Sequence, residues 1–361
     1  MQRPPDHTNR TPIHALITGG AGFIGSHLAE ALLARGDRVT IVDNLSTGQT
    51  DNVAHLIPNP GFRVVVDSIA NDAVVDELVG TCDVVFHLAA AVGVELILKD
   101  PARVFETNIL GTHALLKAAS RHQTKVLLAS TSEIYGKSER LPFKEDDDRV
   151  LGPTTNARWS YSASKAVDEF LALAYFRQEN LPIVIFRLFN TVGPRQTGRY
   201  GMVVPRFVQQ ALGGEPLLVY GDGRQSRCFC DVSDAVRAVL GLADCAEAVG
   251  KVFNVGSTAE VTIRELAERV LALTDESVPS RANGSRPVRA VDDCITVVPY
   301  DRAYEPGFED MRRRVPDVSR IKATIGWEAR LSLDETLRRV IAYYRDRALG
   351  TASPVAVQTS T

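Results

Sequence analysis

The chain has 361 residues, enough to bury a sizeable core, and 45% of them are hydrophobic. Its formal net charge is −3, from 41 Lys and Arg against 44 Asp and Glu, which offers no overall field for nucleic acid or an anionic membrane. The 5 cysteines are irregularly spaced and the 7 histidines lack the spacing of a zinc site, so we expect reduced thiols and no metal.

The sequence also lacks the patterns of a membrane or secreted protein. No apolar run approaches the roughly 20 residues that a bilayer-spanning helix needs. The first residues lack the apolar centre of a signal peptide. We therefore expect a cytoplasmic protein with no membrane partner.

A glycine-rich turn joins the first two predicted strands. The apolar run 13–18 predicts a buried strand, and Gly19-Gly-Ala-Gly-Phe-Ile-Gly25 opens a helix that stops at Gly36. A second strand, 39–42, ends in Asp43. This is the order of a dinucleotide-binding unit, in which a helix N-terminus faces a pyrophosphate. A carboxylate at Asp43 would bind an adenosine ribose and repel a 2′-phosphate, so the sequence predicts NAD rather than NADP.

Strand and helix patterns continue to alternate, which predicts a Rossmann-type doubly wound parallel sheet. Further strands are predicted at 62–66, 83–88, 125–129 and 183–188, and helices at 101–122 and 161–180. Beyond Asn190, glycine and proline become frequent, strands are short, and the helices predicted at 263–273 and 333–347 are isolated.

The domain division follows from this change. We predict an NAD-binding domain over 12–189, joined by some later elements, and a smaller, mainly substrate-binding α+β domain over 190–347. The remaining segments are predicted to be a mobile loop at 275–293 and disordered tails at 1–11 and 348–361.

Two motifs carry the predicted catalytic chemistry. Tyr161 and Lys165 lie four residues apart at the start of a predicted helix, so they share one face. A free tyrosine has a pKa of about 10, and the charge of a nearby lysine would favour the phenolate needed for base catalysis. Such a pair alone is often a surface pair. Thr131 follows the fifth strand, at the ligand-binding edge of such a sheet, where it can contact the same substrate hydroxyl as Tyr161.

In these motifs the chain resembles the extended short-chain dehydrogenase/reductases that modify nucleotide sugars. The resemblance covers roughly residues 13–345. Besides the glycine turn and the Tyr161/Lys165 pair, it rests on His87-Leu-Ala-Ala90, Thr107-Asn108 with Gly111-Thr112, Thr131-Ser-Glu133, Asn190 before Gly193-Pro-Arg195, and Arg227.

The resemblance implies a first step in which Tyr161 takes the proton of the sugar 4-hydroxyl while the C4 hydride passes to NAD. Lys165 would hold the nicotinamide ribose, Thr131 would orient the oxygen, and Ser132 would bind the sugar or the backbone. The implied cofactor-binding residues are Gly19, Gly22, Phe23, Ile24, Gly25, Asp43, Asn44, Asp67, Ile69, Leu88, Ala89, Ala90, Asn108 and Lys165. The implied substrate-binding residues are Val92, Asn190, Arg195, Val204, Val219, Tyr220, Arg227 and Arg314.

Within that family, a UDP-linked sugar is expected by analogy, and a homodimer is expected because members often pair the helices equivalent to 101–122 and 161–180. What happens to the 4-keto sugar stays open. Return of the hydride to the other face makes a 4-epimerase, loss of a C5 carboxylate makes a UDP-glucuronate decarboxylase, and expulsion of the 6-hydroxyl makes a 4,6-dehydratase.

Glu133 and Arg314 resemble the decarboxylases, as do Arg158-Trp-Ser-Tyr161 and the stretch 307–310. Against this, the loop 92–97 lacks the usual proline and tyrosine, and Met202 stands where UDP-xylose-forming enzymes carry arginine. Ser132 and the NAD preference disfavour dehydration, and the intact Tyr161/Lys165 pair disfavours a non-catalytic NAD sensor. The sequence-based prediction is a 4-epimerase for a UDP-hexose or UDP-hexuronate, with the UDP-glucuronate decarboxylase as the alternative.

Overall fold

The structure is a computed structural model that describes residues 11–93, 100–198, 202–277, 291–304 and 309–349. The predicted tails lie almost wholly outside these ranges, as does most of the loop predicted at 275–293. The helix before that loop extends to Ser277, and the last helix extends to Ala348.

The strands belong either to one large sheet or to short two-stranded pairs. In chain order they are β1 His14–Thr18, β2 Arg38–Asp43, β3 Phe62–Val66, β4 Val84–His87, β5 Lys125–Thr131, β6 Ile183–Leu188, β7 Thr191–Val192, β8 Leu217–Tyr220, β9 Ser226–Cys228, β10 Cys230–Asp231, β11 Val252–Val255, β12 Glu260–Thr262 and β13 Ile295–Val298. The helices are α1 Phe23–Ala34, α2 Asp72–Gly80, α3 Pro101–Phe105, α4 Gly111–His122, α5 Ser160–Glu179, α6 Val203–Gly213, α7 Val232–Asp244, α8 Ile263–Ser277, α9 Tyr300–Ala303, α10 Ser319–Ile325 and α11 Leu333–Ala348.

Seven strands form a parallel sheet in the order β3-β2-β1-β4-β5-β6-β11. The strand order reverses between β1 and β4, so the chain leaves the sheet in opposite directions on the two sides of this switch point. Thr18 lies opposite His87 there, and Thr131 at the end of β5 lies opposite Leu188. The carboxyl ends of the central strands therefore line one edge, which is where ligands bind in doubly wound folds.

Helices cover both faces of the sheet, because its strands are apolar on both sides. One face packs on α1, α7 and α10 through residues such as Leu32, Val239 and Ile321. The other face packs on α2, α4 and α5 through Leu78 and Leu116, among others. The predicted Rossmann-type fold is confirmed.

The helix predicted at 101–122 is not a regular α-helix. A π-helical turn, Glu106–Leu110, separates α3 from α4. Asn108 in this turn is buried, accepts a hydrogen bond from Ala91 N at 2.7 Å and donates one to Ser164 Oγ at 3.0 Å. The wider turn thus places a polar side chain where it ties the end of β4 to α5.

A second apolar core lies outside the sheet. It is built from residues after Asn190, with α6, α8 and α11 packed around β8 through Phe207, Leu266 and Leu337. Other late elements, β11, α7 and α10, belong instead to the first core. Among the described residues, none of the helices combines the length and apolarity that a bilayer crossing requires.

Candidate active site

A cavity of about 690 Å³ opens at the carboxyl ends of the sheet strands, between the two cores. Its volume is in the range of sites that enclose small ligands. The predicted site residues that line it are Gly19, Gly22, Phe23, Ile24, Gly25, Asp43, Asn44, Asp67, Ile69, Leu88, Ala89, Ala90, Val92, Thr131, Ser132, Glu133, Tyr161, Lys165, Asn190, Arg195, Val204, Tyr220, Arg227 and Arg314.

The glycine turn between β1 and α1 is built for close approach. Gly19 has φ +71°, and a Cβ on it would lie 2.9 Å from Ala89 N. A Cβ on Gly25 would lie 2.3 Å from the Gly19 carbonyl oxygen. The N-terminus of α1 begins at Gly22 with no side-chain cap and faces the cavity. Its backbone N–H groups and helix dipole fit a pyrophosphate.

Asp43 closes the other side of this cradle. One carboxylate oxygen accepts from Ala21 N at 3.0 Å and the other from Leu45 N at 2.8 Å. Burial raises the pKa of Asp43 above its ordinary value, and the two backbone donors oppose that shift. The carboxylate keeps further lone pairs toward the cavity for ribose hydroxyls. These residues fit NAD, which would supply a hydride acceptor beside Tyr161.

Tyr161 and Thr131 meet at the centre of the cavity. A hydrogen bond joins the two side chains, and Tyr161 is buried at the start of α5. Burial raises the pKa of Tyr161, and the negative charges of Glu133 and Asp168 raise it further.

The sequence predicted that Lys165 favours the phenolate of Tyr161, but the net shift of the Tyr161 pKa is upward and Lys165 is paired with a carboxylate. Its Nζ donates to Asp168 Oδ2 at 2.6 Å, and both side chains are buried. Because burial and the charges of Glu133 and Asp168 oppose ionisation, the phenol keeps its proton in the protein alone.

Glu133 lies between two guanidiniums at the wall beside Tyr161. Arg158 binds its carboxylate with both Nη atoms, at 2.5 and 3.0 Å, and Arg314 Nη2 donates to Oε1 at 3.0 Å. Burial alone would raise the pKa of Glu133, but the charges of Arg158 and Arg314 outweigh it and hold the pKa far below its ordinary value. Arg314 Nη1 also lies 3.4 Å from Ser132 Oγ. This cluster carries one negative and two positive charges.

Two of the predicted substrate-binding arginines, Arg195 and Arg227, are each held by a carboxylate. Arg227 lines the cavity and donates to Asp310 Oδ1 at 2.7 Å and to the Met311 carbonyl at 2.8 Å. Arg195 is held by α1, because its Nη2 donates to Glu30 at 2.5 Å. Arg195 therefore braces the N-terminal helix, Arg227 is paired with Asp310, and both side chains line the cavity.

Comparison with known proteins supports this arrangement. A family model described as GDP-mannose 4,6 dehydratase matches residues 16–340. The UDP-N-acetyl-alpha-D-glucosaminuronate decarboxylase of Bacillus cytotoxicus is 43% identical over 332 residues, which cover 92% of this chain and 97% of the relative. UDP-glucuronic acid decarboxylase 1 of Arabidopsis thaliana is 35% identical over 347 residues, which cover 96% of this chain and 73% of the relative. The chain belongs to the extended short-chain dehydrogenase/reductase family.

Solved structures of related proteins share the fold. UDP-glucuronic acid 4-epimerase of Bacillus cereus, in complex with UDP-glucuronic acid and NAD, matches with a TM-score of 0.79 at 27% identity and covers 92% of this chain and 99% of its own. UDP-glucose 4-epimerase of Thermotoga maritima matches with a TM-score of 0.78 at 29% identity, with 93% and 99% coverage. The NAD in the first structure agrees with the prediction from Asp43.

Two residues predicted to bind ligands in this short-chain dehydrogenase/reductase lie elsewhere. Val219 is 1% exposed and packs in the second core, because side chains of β8 alternate and only Leu218 and Tyr220 turn outward. Asn108 is not among the described residues that line the cavity, although its bonds to Ala91 and Ser164 order the adjoining loop.

Several residues that line the cavity were not predicted from the sequence. Arg206 stacks on the ring of Tyr220, 3.9 Å from its centroid, and Tyr304 packs edge-on at 5.6 Å. Tyr300 donates to Asp310 Oδ2 at 3.2 Å. The only sequence signal for Arg158 was its position three residues before Tyr161. Tyr300 and Tyr304 follow a segment with no periodic pattern, so no sequence signal pointed to them. Within the described ranges, no group of three or more His, Cys, Asp or Glu side chains could hold a metal ion.

Proposed function

We propose that the protein is an NAD-dependent decarboxylase of a UDP-linked hexuronic acid. This hypothesis replaces the 4-epimerase that the sequence favoured. The two curated relatives described above are both named as decarboxylases. The epimerases among the compared structures are less similar, at 29% identity or below. Both UDP-N-acetylglucosaminuronate and UDP-glucuronate are therefore candidate substrates.

The observation that carries the proposal is the surplus positive charge around Glu133. Arg158 and Arg314 share one carboxylate, so the cluster suits a second carboxylate from a ligand. Epimerisation of a neutral sugar has no need of this buried charge. Met202 lines the cavity in place of the arginine expected from UDP-xylose-forming enzymes, and these two guanidiniums supply the positive charge instead.

The reaction follows from these positions. Tyr161 takes the proton of the sugar 4-hydroxyl, while Thr131 holds the oxygen. Bound NAD, held by the glycine turn and Asp43, would supply the acceptor for the C4 hydride, which would then either return to C4 after decarboxylation or leave as NADH beside a 4-keto pentose product. The resulting C4 ketone is β to the C5 carboxylate, so the C5–carboxylate bond can break with its electrons passing into an enolate. CO2 leaves, Tyr161 stabilises the enolate oxygen, and a proton then adds at C5.

A single set of incubations tests the proposal. The protein with added NAD is mixed separately with UDP-glucuronate, UDP-N-acetylglucosaminuronate, UDP-glucose and UDP-N-acetylglucosamine, each uronate labelled with ¹³C at C6. We expect labelled CO2 from at least one uronate and no reaction of the neutral sugars. Products of unchanged mass with inverted C4, seen by proton NMR, would instead establish the epimerase.

The assembly and location of the enzyme are proposed separately. We propose a homodimer that pairs the segments 101–122 and 161–180. Large apolar side chains on these segments are exposed, including Leu110 at 60% and Phe170 at 63%. The cytoplasmic location stays a prediction.

A further inference from the structure

Asp168 is a buried carboxylate beside the catalytic pair that the reaction above does not use. It follows Lys165 by three residues in α5, is 0% exposed, and accepts from Lys165 Nζ at 2.6 Å. Asp168 is not among the described residues that line the cavity, whereas Lys165 is. Asp168 can therefore affect a bound ligand either by holding Lys165 in place or through the electrostatic field of its own carboxylate.

A chain of polar contacts links Asp168 to the sheet. The Thr112 hydroxyl contacts Asp168 and lies 3.0 Å from His87 Nε2, and His87 Nδ1 lies 2.7 Å from Thr18 Oγ1. Burial, helped by the charge of Lys165, lowers the pKa of His87 to about 3, so this imidazole is neutral at working pH. Thr18 ends β1 directly before the glycine turn. The chain thus connects the cofactor cradle to the catalytic lysine without a group that titrates near neutrality.

We propose that Asp168 is a positioning residue that fixes the Lys165 ammonium and, through the negative charge it places beside that ammonium, sets the pH range in which Tyr161 can act as a base. The inference rests on the oxidation at C4 in the proposed function. Epimerases and decarboxylases share that step, so the inference does not depend on the release of CO2.

The charged groups around Tyr161 give the sign of the effect. Glu133 after β5 and Asp168 on α5 oppose the phenolate, while Arg314 and the Thr131 hydrogen bond favour it. Loss of the Asp168 charge removes one opposing charge and frees the positive charge of Lys165. Both changes stabilise the phenolate, so the pKa of Tyr161 should fall.

The test uses Asp168→Asn, which keeps the shape and removes the charge. In the NAD-loaded enzyme, we expect the rising limb of kcat against pH to move by about one unit toward lower pH. We also expect NAD to bind several-fold more weakly, because Lys165 loses its fixed partner. Asp168→Glu, which retains the charge, should restore the position of the limb.

A second readout does not need turnover. The ultraviolet titration of each variant is compared with that of the same variant carrying Tyr161→Phe, which isolates the Tyr161 phenol. Its midpoint should fall in Asp168→Asn even if the proposed substrate proves wrong. Asp168→Ser serves in the same way if the asparagine variant does not fold.

The matched control is Glu169→Gln, the loss of the neighbouring buried carboxylate. Glu169 accepts from Ser130 Oγ at 2.5 Å and from Arg187 Nη2 at 2.7 Å, so its carboxylate is bound to partners other than Lys165. In Glu169→Gln, the rising limb of kcat against pH and the titration midpoint of Tyr161 should match those of the parent. An unchanged midpoint in a folded Asp168→Asn protein, or an equal shift in Glu169→Gln, would overturn the proposal.

Discussion

Charge pairing at the level of single residues governs the chemistry of this cavity. Tyr161 stands between carboxylates that oppose its ionisation and groups that favour it, so the protein alone holds the phenol neutral. A positive charge on a bound nicotinamide would favour the phenolate. We therefore expect Tyr161 to become an effective base only when NAD is bound.

Tyr161→Phe removes the base and little else. We expect turnover to fall by about 10³-fold or more, because the phenol hydrogen-bonded to Thr131 is the proposed proton acceptor. NAD binding should be unchanged within about twofold, since Lys165 and the glycine turn remain. Turnover and NAD affinity are measured side by side by mass spectrometry and calorimetry. Full activity in the variant would refute the mechanism.

Glu133→Gln tests the charge cluster through stability. The variant leaves Arg158 and Arg314 buried beside a neutral amide, which should cost about 3 kcal/mol at pH 7. The pKa of Glu133 is lowered on folding, so its contribution is full above the ordinary value of 4.5 and is lost as pH falls below it.

Urea unfolding from pH 7 to about 3.5 measures this difference. The gap in unfolding free energy between the parent and Glu133→Gln should narrow below pH 4.5, where the unfolded carboxyl becomes protonated. A gap that stays constant over that range would show that Glu133 is not held ionised by its partners.

At the scale of elements, the turn from β1 into α1 decides cofactor binding. In Gly25→Ala, the new Cβ would lie 2.3 Å from the Gly19 carbonyl oxygen, so α1 must move away from the turn. We expect NAD affinity to fall by about tenfold or more. Gly213→Ala, whose Cβ would meet nothing closer than Glu215 Cγ at 3.8 Å, is the control and should bind NAD like the parent. Equal affinities in both variants would contradict this role for the turn.

Local pattern was enough to predict the elements of the sheet. The strands β3 and β6 were predicted with the bounds they have, and α5 begins one residue earlier than predicted. The π-helical turn at Glu106–Leu110 was not predictable, because it follows from the fit of Asn108 against Ala91 and Ser164 rather than from helix propensity.

Site residues that belong to a sequence motif were predictable, whereas contacts between residues from distant segments were not. Glu133 and Arg314 are 181 residues apart, and no periodicity relates them. The resemblance to a family placed both in the site, but only the structure brings Arg158 to the same carboxylate. Val219 was misplaced although period two in β8 already points it away from Tyr220.

At the scale of the whole molecule, the exposed apolar side chains of the helical face bear on assembly. Phe170 on α5 is 63% exposed and carries Arg149 at 4.9 Å from its ring centroid. Phe170→Glu should convert a dimer to a monomer in sedimentation velocity experiments, because it places a charge in an apolar contact. Val66→Glu, at a 58% exposed position on the edge strand β3, should leave the assembly unchanged. A parent that sediments as a monomer would remove the basis for the dimer.

The path of the chain through the two cores limits how such an enzyme can change its substrate. After Asn190 the chain enters the second core, returns to the first core for α7 and β11, crosses to the second for α8, returns for α10 and crosses again for α11. No single cut separates the part that holds the sugar from the part that holds the dinucleotide. Exchange of one continuous segment therefore cannot replace the second core alone, and a redesign of the whole sugar-binding side must change several separate segments.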